Sequence, residues 1–535
     1  MAKALRVTPL ALGVIVVALV WTAGRSANPG SLGFRLDDAW IHMVYGRGLL
    51  ANGYLAYEDG KPSTGCTSPA WAIVLAVLHA LFGHAASPDV LIASVILIGA
   101  ALQLGGVLAA TSLARRLSGS DAVGAVAGCL TALATPLVAA SLSGMEVALT
   151  SLLLLLGARA VVMGSFGAAG LFLAGAGLAR PECGASILVL AAAASLLAPT
   201  GRRRSAAARL LAAPVLAGLA LVAYDLWASS APLPATFYAK SALSIAALPH
   251  RLGTALGRML STVPPFGFAV GWVATAGLLA GGAARPRVAA SAPSIAPAHD
   301  LAPWIPFAAG AAFLLANLAV LDPVDPVAFY HLRYVLPPVP LFLVAAALGA
   351  YAWGRTPRAK GIALAALLVV AAGQAAVRVG PESRHLHNDV RNINEVQRAI
   401  GERLAATLPP GTRIAASDAG AVRYFSRLPT LDVIGLNTPG MRSPSDEFLR
   451  SHPVAAFAFL PAWFRTPDGA QLEEMFEAST SGYTVTSNPA MATQVVVRAH
   501  PSAGRVRARF GGFRSFALDF VGPEEAGSLS GRAGP

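Results

Sequence analysis

The 535-residue chain is 55% hydrophobic and only 13% charged, with a formal charge of +13, where an ordinary soluble protein carries about 25% charged residues. That deficit excludes soluble globular packing. The cation excess fits the cytoplasmic loops of a membrane protein better than nucleic acid, because no basic, aromatic-interleaved segment stands outside those loops. Cys66, Cys129 and Cys183 offer neither a disulfide framework nor a CxxC metal site.

In chain order, Lys3 and Arg6 precede an uncharged run over residues 7–24. It is long for a signal-peptide core and many apolar runs follow, so it is expected to be an uncleaved first span. A polar segment, 25–87, comes next as an outer loop; within it residues 70–83 follow Pro69 and contain His79, the pattern of an interfacial or re-entrant helix. Further charge-free runs cover 90–114, 122–145, 147–158, 160–179, 183–201, 210–224, 259–284, 301–321, 335–354 and 361–377, giving about eleven spans.

With the N-terminus inside and sides alternating, Lys3, Arg6, Arg115, Arg116, Arg159, Arg202, Arg203, Arg204, Arg209, Arg285, Arg287, Arg355, Arg358 and Lys360 all fall on the cytoplasmic side, as the positive-inside rule requires. The only acids there are Asp121 and Asp300; Arg251 and Arg258 are outer exceptions. After residue 378 charges return. Val390, Ile393, Val396, Ile400 and Leu404 share one helical face ended by the PPGT at 409–412. Strands are expected at RIAAS (413–417), TLDVIGL (430–436), VAAFAFL (454–460), YTVTS and TQVVVRA (493–499), and the last dozen residues read as a loose tail. The expected architecture is mainly α: a polytopic membrane helix bundle over 1–378 and an extracytoplasmic α/β domain over 379–535.

Polar groups gather at the outer helix ends, where ionisable residues are costly and default to functional candidates. Asp37 and Asp38 provide a general base and a second oxygen ligand for a substrate or divalent cation; the structural alternative is a helix N-cap. Arg180, Lys240 and Arg333 suit a phosphate, or lipid headgroups reached by snorkelling. His42, Glu146, Glu182 and His331 are candidate substrate contacts, with the two glutamates open to being simple partners of Arg180 or Arg333. Tyr238, in TFYAK, offers a face for a sugar or polyprenyl chain, or an interface anchor.

The segment DDAWIHMVYGRGLLANGYLAYEDGKPSTGCTSPAW, followed in order by GME, RPE, LPATFYAK, RYVLPP and SDAGAVRYFSRLPTLDVIGL, resembles bacterial GT-C glycosyltransferases. It is most similar to the mycobacterial terminal β-arabinofuranosyltransferase group. The resemblance implies a polyprenyl-phosphate sugar donor, an envelope glycan, lipid or protein acceptor, and a site outside the bacterial cytoplasmic membrane, with Asp37 and Asp38 catalytic. No cofactor is demanded, although a divalent metal is compatible with the paired acids. Where the family reads GYT this chain has Gly65, Cys66 and Thr67, a departure that leaves the expected fold intact but bears on the identity of the acceptor or donor. The competing reading, a transporter or lipid-carrier flippase, calls for mid-membrane charges and paired broken helices, whereas the middles of these runs are charge-free.

Overall fold

The computed structural model describes residues 2–23, 32–83, 87–240, 244–263, 304–320, 331–438, 445–465, 471–480, 491–512 and 515–530. The chain divides into two compact units: Met1–Ser26, Ile96–Leu221 and Ala242–Arg384 form one, and Ala27–Val95, Val222–Ser241 and His385–Pro535 the other. The second unit takes up the chain again at His385, and residues 27–95 group with that C-terminal segment.

Ten of the expected spans hold helices; the one over 259–284 lies mostly outside the described residues. Among the described residues three helices, Pro88–Ser118, Thr200–Ser229 and Pro357–Thr407, are long and apolar enough to cross a membrane, or four if one bent pair counts as a single span. That pair corrects the single span expected over 122–145: Asp121–Leu133 and Thr135–Ser141 meet at 63°. Pro136, in the first turn of the second helix, has no N–H for the carbonyl four residues back and its ring crowds that carbonyl, so one helix does not run straight through it. The remaining apolar helices, among them Val147–Val162, Phe166–Ala179, Cys183–Leu197, Ile305–Val320 and Val339–Trp353, are each 10–17 residues. Such lengths rise only about 15–25 Å against a hydrocarbon core of about 30 Å.

In the first unit, Val339–Trp353 is buried from Val339 to Ala350, as a helix apolar on every side should be. Elsewhere large apolar side chains face outward: Leu171 is 70% and Val369 71% exposed. Water would penalise that surface, and lipid does not.

Among the described residues the second unit holds three sheets, the smallest a hairpin of β1 (Ala56–Glu58) and β2 (Lys61–Pro62) in the first loop. A mixed five-stranded sheet runs β4 (Thr430–Asp432), β3 (Ile414–Ala416), β5 (Ala456–Phe459), β8 (Thr493–Ala499) and β7 (Leu472–Ser479), with β4, β3 and β5 parallel and the rest antiparallel. An antiparallel three-stranded sheet orders β10 (Phe516–Phe520), β9 (Val506–Gly512) and β6 (Phe464–Arg465). The expected strands at 413–417, 430–436, 454–460 and 493–499 are all present, while YTVTS lies outside the described residues. One core joins Phe457, Phe459, Phe464, Phe510 and Phe516; another sets Ile400 and Leu404 of the predicted helical face against Val44, Tyr45 and Tyr57 of the first loop. The tail is not wholly loose, since Pro523–Ser530 is helical and Ala526 is buried against Val521 and Ala455.

In that loop the helix Asp37–Asn52 packs on Pro69–Phe82, and a β-carbon at Gly46 would stand 2.6 Å from Leu75 Cβ. Gly46→Val is therefore expected to cost about 1–3 kcal/mol by overpacking, seen as a lower melting temperature of the purified protein. An unchanged melting temperature would show that the two helices separate without penalty.

Candidate active site

The Asp37–Asn52 helix starts with two acids in its first turn, where the helix dipole favours negative charge. Neither acid is its N-cap. That position is Leu36, which makes no side-chain cap, so the simple capping alternative for this helix does not apply. The Asp37 carboxylate instead serves a distant segment: Oδ2 accepts the Gly420 amide and Oδ1 the Ala421 amide, each at 2.6 Å. Gly420 is required there because a β-carbon would collide with the Asp37 carbonyl and carboxylate.

Asp418 hydrogen-bonds the same carboxylate, and its own Oδ2 accepts Gln397 Nε2 at 2.9 Å. Gln397 comes from a π-helical turn, Asn394–Arg398, a local feature often found at functional sites. Burial raises the Asp37 carboxyl to about 6; the hydrogen bonds from Asp418, Ala421 and Gly420 pull the other way, and the Asp38 charge adds to the rise. Burial, then the charge of Asp37, holds Asp418 well above the usual carboxylate range. Near neutral pH the arrangement is thus a protonated Asp418 donating to an ionised Asp37 that accepts from three donors.

The 417–421 turn is also held by Tyr57, whose hydroxyl donates to the Ala419 carbonyl at 2.7 Å. Arg35 and Asp389 form a buried pair at 2.9 Å, and Trp40 sits among Phe34, Tyr424 and Phe425. Gly65, in the unusual Gly-Cys-Thr segment, lies where any side chain would strike the Leu436 carbonyl and the Tyr45 hydroxyl, and Cys66 is buried in the core with Tyr45.

A separate cluster occupies the first unit. Arg180, just past the end of the helix Phe166–Ala179, places Nε and Nη2 3.0 Å from Glu146 Oε1 and Nη1 3.4 Å from Glu182 Oε1. The guanidiniums of Arg180 and Arg333 lie 5.0 and 4.9 Å from the centroid of the Tyr334 ring, within cation–π range, and Arg333 Nη2 donates to the Tyr334 hydroxyl at 2.9 Å. His331 and Leu332 precede it with φ of 51° and 62°, a backbone region that bulky residues rarely enter and that functional sites often hold.

The structure therefore brings Arg180, Arg333, Glu146 and Glu182 together, and Asp37 and Asp38 with Asp418. The two glutamates take the partner role for Arg180. His42 is buried on the Asp37–Asn52 helix, Tyr238 is 41% exposed beside Phe237, and Lys240 ends the helix Ala235–Lys240 with its side chain outside the described residues. Sequence reasoning missed Asp418, Gln397, Gly420 and Tyr334. Among the described residues no group of three or more His, Cys, Asp or Glu is placed to hold a metal ion.

The raised acids carry a sign. Asp37 moves from 3.8 to about 6 on folding, so its stabilising contribution is complete below about pH 4 and is lost as pH rises through 6; Asp418, raised further, extends the decline. The melting temperature is expected to fall by several degrees between about pH 5 and about pH 8. Asp418→Asn, which keeps an amide donor for Asp37 and an acceptor for Gln397 but cannot ionise, should flatten that slope in a thermal-shift series. An equal slope in both proteins would contradict the shared-proton arrangement.

Residues 388–504 match a family model described as a domain of unknown function (DUF8728). No curated protein matches the sequence. Among solved structures, the chain is similar to ArnT from Cupriavidus metallidurans bound to undecaprenyl phosphate, at 14% identity and a TM-score of 0.57, covering 93% of this chain and 99% of that one. The same protein in the apo state gives 12% and 0.58, covering 92% and 98%. The Archaeoglobus fulgidus oligosaccharyltransferase in complex with Zn and sulfate gives 12% and 0.50, covering 84% and 67%. At such identities the likeness is one of fold: the chain has a GT-C-type architecture, a mainly helical membrane bundle with a sheet-bearing C-terminal region.

Proposed function

We propose that this protein is a membrane glycosyltransferase that moves a sugar from a polyprenyl-phosphate carrier to a cell-envelope acceptor on the outer side of the bacterial cytoplasmic membrane. The observation that carries the reading is the pair of first-loop acids, Asp37 and Asp38, held in a built carboxyl cluster on a GT-C-type scaffold. The bound undecaprenyl phosphate of the Cupriavidus ArnT supports a lipid-phosphate donor. The motif resemblance favours arabinofuranose as the sugar, with the Gly65-Cys66-Thr67 departure the reason to test it first.

In this mechanism a first-loop carboxylate takes the proton of the acceptor hydroxyl as its oxygen bonds to the anomeric carbon. The bond from that carbon to the phosphate oxygen breaks, and polyprenyl phosphate leaves with the electron pair. Arg333, Arg180 and Lys240 are the proposed phosphate cations. Arg180 is paired with Glu146 and Glu182, so a phosphate there would share its guanidinium with two carboxylates. His42, His331 and Tyr238 remain proposed substrate contacts.

Lipid analysis of a deletion strain tests the donor class: a polyprenyl-phosphate sugar should accumulate, and its sugar names the group transferred. Asp37→Asn and Asp38→Asn should each leave a folded, membrane-inserted protein, with at least one losing transfer by about 10² or more. Full turnover in both would remove the catalytic assignment. For the orientation, cysteines placed near Asp59 and Asp418 should react with a membrane-impermeant probe in intact cells while one at Arg203 should not; the reverse pattern would invert the topology.

A further inference from the structure

The two leading acids of the first loop are adjacent in sequence, yet the fold uses them differently. Asp37 is buried and both its oxygens are committed, to the amides of Gly420 and Ala421 at 2.6 Å each and to the side chain of Asp418. A carboxylate has about four acceptor positions. With three filled by donors, Asp37 is poorly placed to receive a proton from an incoming hydroxyl. Asp38, one residue on, is half-buried and projects about 100° further round the helix.

We propose that Asp37 and Asp418 are positioning residues, a hydrogen-bonded carboxyl pair that locks the start of the Asp37–Asn52 helix to the 417–421 turn and so aims Asp38 at the acceptor hydroxyl. The inference rests on the glycosyltransferase reading above and deepens it by dividing the work between the two acids. The support around the pair is what a precisely aimed base needs. Gln397 Nε2 holds the far oxygen of Asp418 at 2.9 Å, the Tyr57 hydroxyl holds the Ala419 carbonyl at 2.7 Å, and Gly420 leaves no room for a side chain between turn and helix. The titratable groups that face Asp37 are Asp38 on its own helix, Asp418 on the turn and Tyr57 on strand β1 (Ala56–Glu58). Asp38 takes the proton as the acceptor oxygen bonds to the sugar and the lipid phosphate departs.

The full-length protein is assayed with the polyprenyl-phosphate sugar isolated from the deletion strain, each rate taken per folded molecule eluting as the native species. Asp38→Asn should lower kcat by about 10² or more, and Asp37→Asn by less. Asp418→Leu should lower kcat about tenfold with the donor KM changed less than about threefold, the pattern of a lost transition-state arrangement. It should also speed amide hydrogen exchange at Gly420 and Ala421. Asp418→Asn, which preserves both hydrogen bonds, should return kcat to within about threefold of the parent. Wild-type turnover in Asp418→Leu, equal damage from Asp418→Asn and Asp418→Leu, or a larger loss in Asp37→Asn than in Asp38→Asn would each overturn the positioning role while leaving the transferase reading intact. If no such lipid accumulates in the deletion strain, the transferase reading itself falls, and the exchange rates at Gly420 and Ala421 in Asp418→Leu then decide whether the lock exists: unchanged exchange would overturn it.

Discussion

The second unit depends on one carboxylate accepting hydrogen bonds from a segment 383 and 384 residues away in sequence. Burying a charge is expensive unless donors replace the lost water, and Asp37 recovers part of that cost through two backbone amides and the side chain of Asp418. Everything nearby is arranged to keep those donors in place: a glycine where a side chain would collide, a tyrosine bonded to the turn, a glutamine from a π turn. The buried Arg35–Asp389 pair makes a second long-range tie between the same two stretches of chain; removing one member of such a pair typically costs about 3–5 kcal/mol, because the other is left buried and uncompensated.

The first unit handles charge by balance. Arg180 pairs directly with Glu146 and Glu182, and both it and Arg333 lie against the Tyr334 ring, so two cations and two carboxylates lie close together near helix ends. Inside or beside hydrocarbon such a group persists only when its members satisfy one another. The balance also sets a condition on any anion that binds there. A phosphate joining a neutral cluster needs a further cation or a proton on one glutamate.

Much of the scaffold was legible because charge-free runs are direct readings of what a bilayer tolerates. The break near Ala134 was readable from Pro136 and was passed over because composition alone reads through it. Strands β3, β4, β5 and β8 were visible as apolar runs, whereas β7, LEEMFEAS, hides behind its glutamates. Strand β9 alternates buried Val506, Ala508 and Phe510 with exposed Arg507 and Arg509, a period-2 signal obscured by its arginines. Of the carboxyl cluster, Asp37 and Asp38 stood out by position. Asp418 could not: an Asp in an Asp-Ala-Gly turn is an ordinary turn former, and nothing local announces that its partner lies in the first loop.

The Asp37 lock also has a consequence for how the molecule is made. At a synthesis rate of about 5–20 residues per second, the 383 residues between Asp37 and Gly420 take roughly 20–80 s to add. Throughout that interval the first loop exists without the amides that later hold its leading acid, so Asp37 stays solvated with the acidity of any surface aspartate. The helix that bears Asp38 acquires its final seat only when residues 420 and 421 have emerged. A product cut short before the turn would carry both first-loop acids in its sequence and still lack the means to orient them, which makes synthesis of the turn itself a checkpoint on the chemistry.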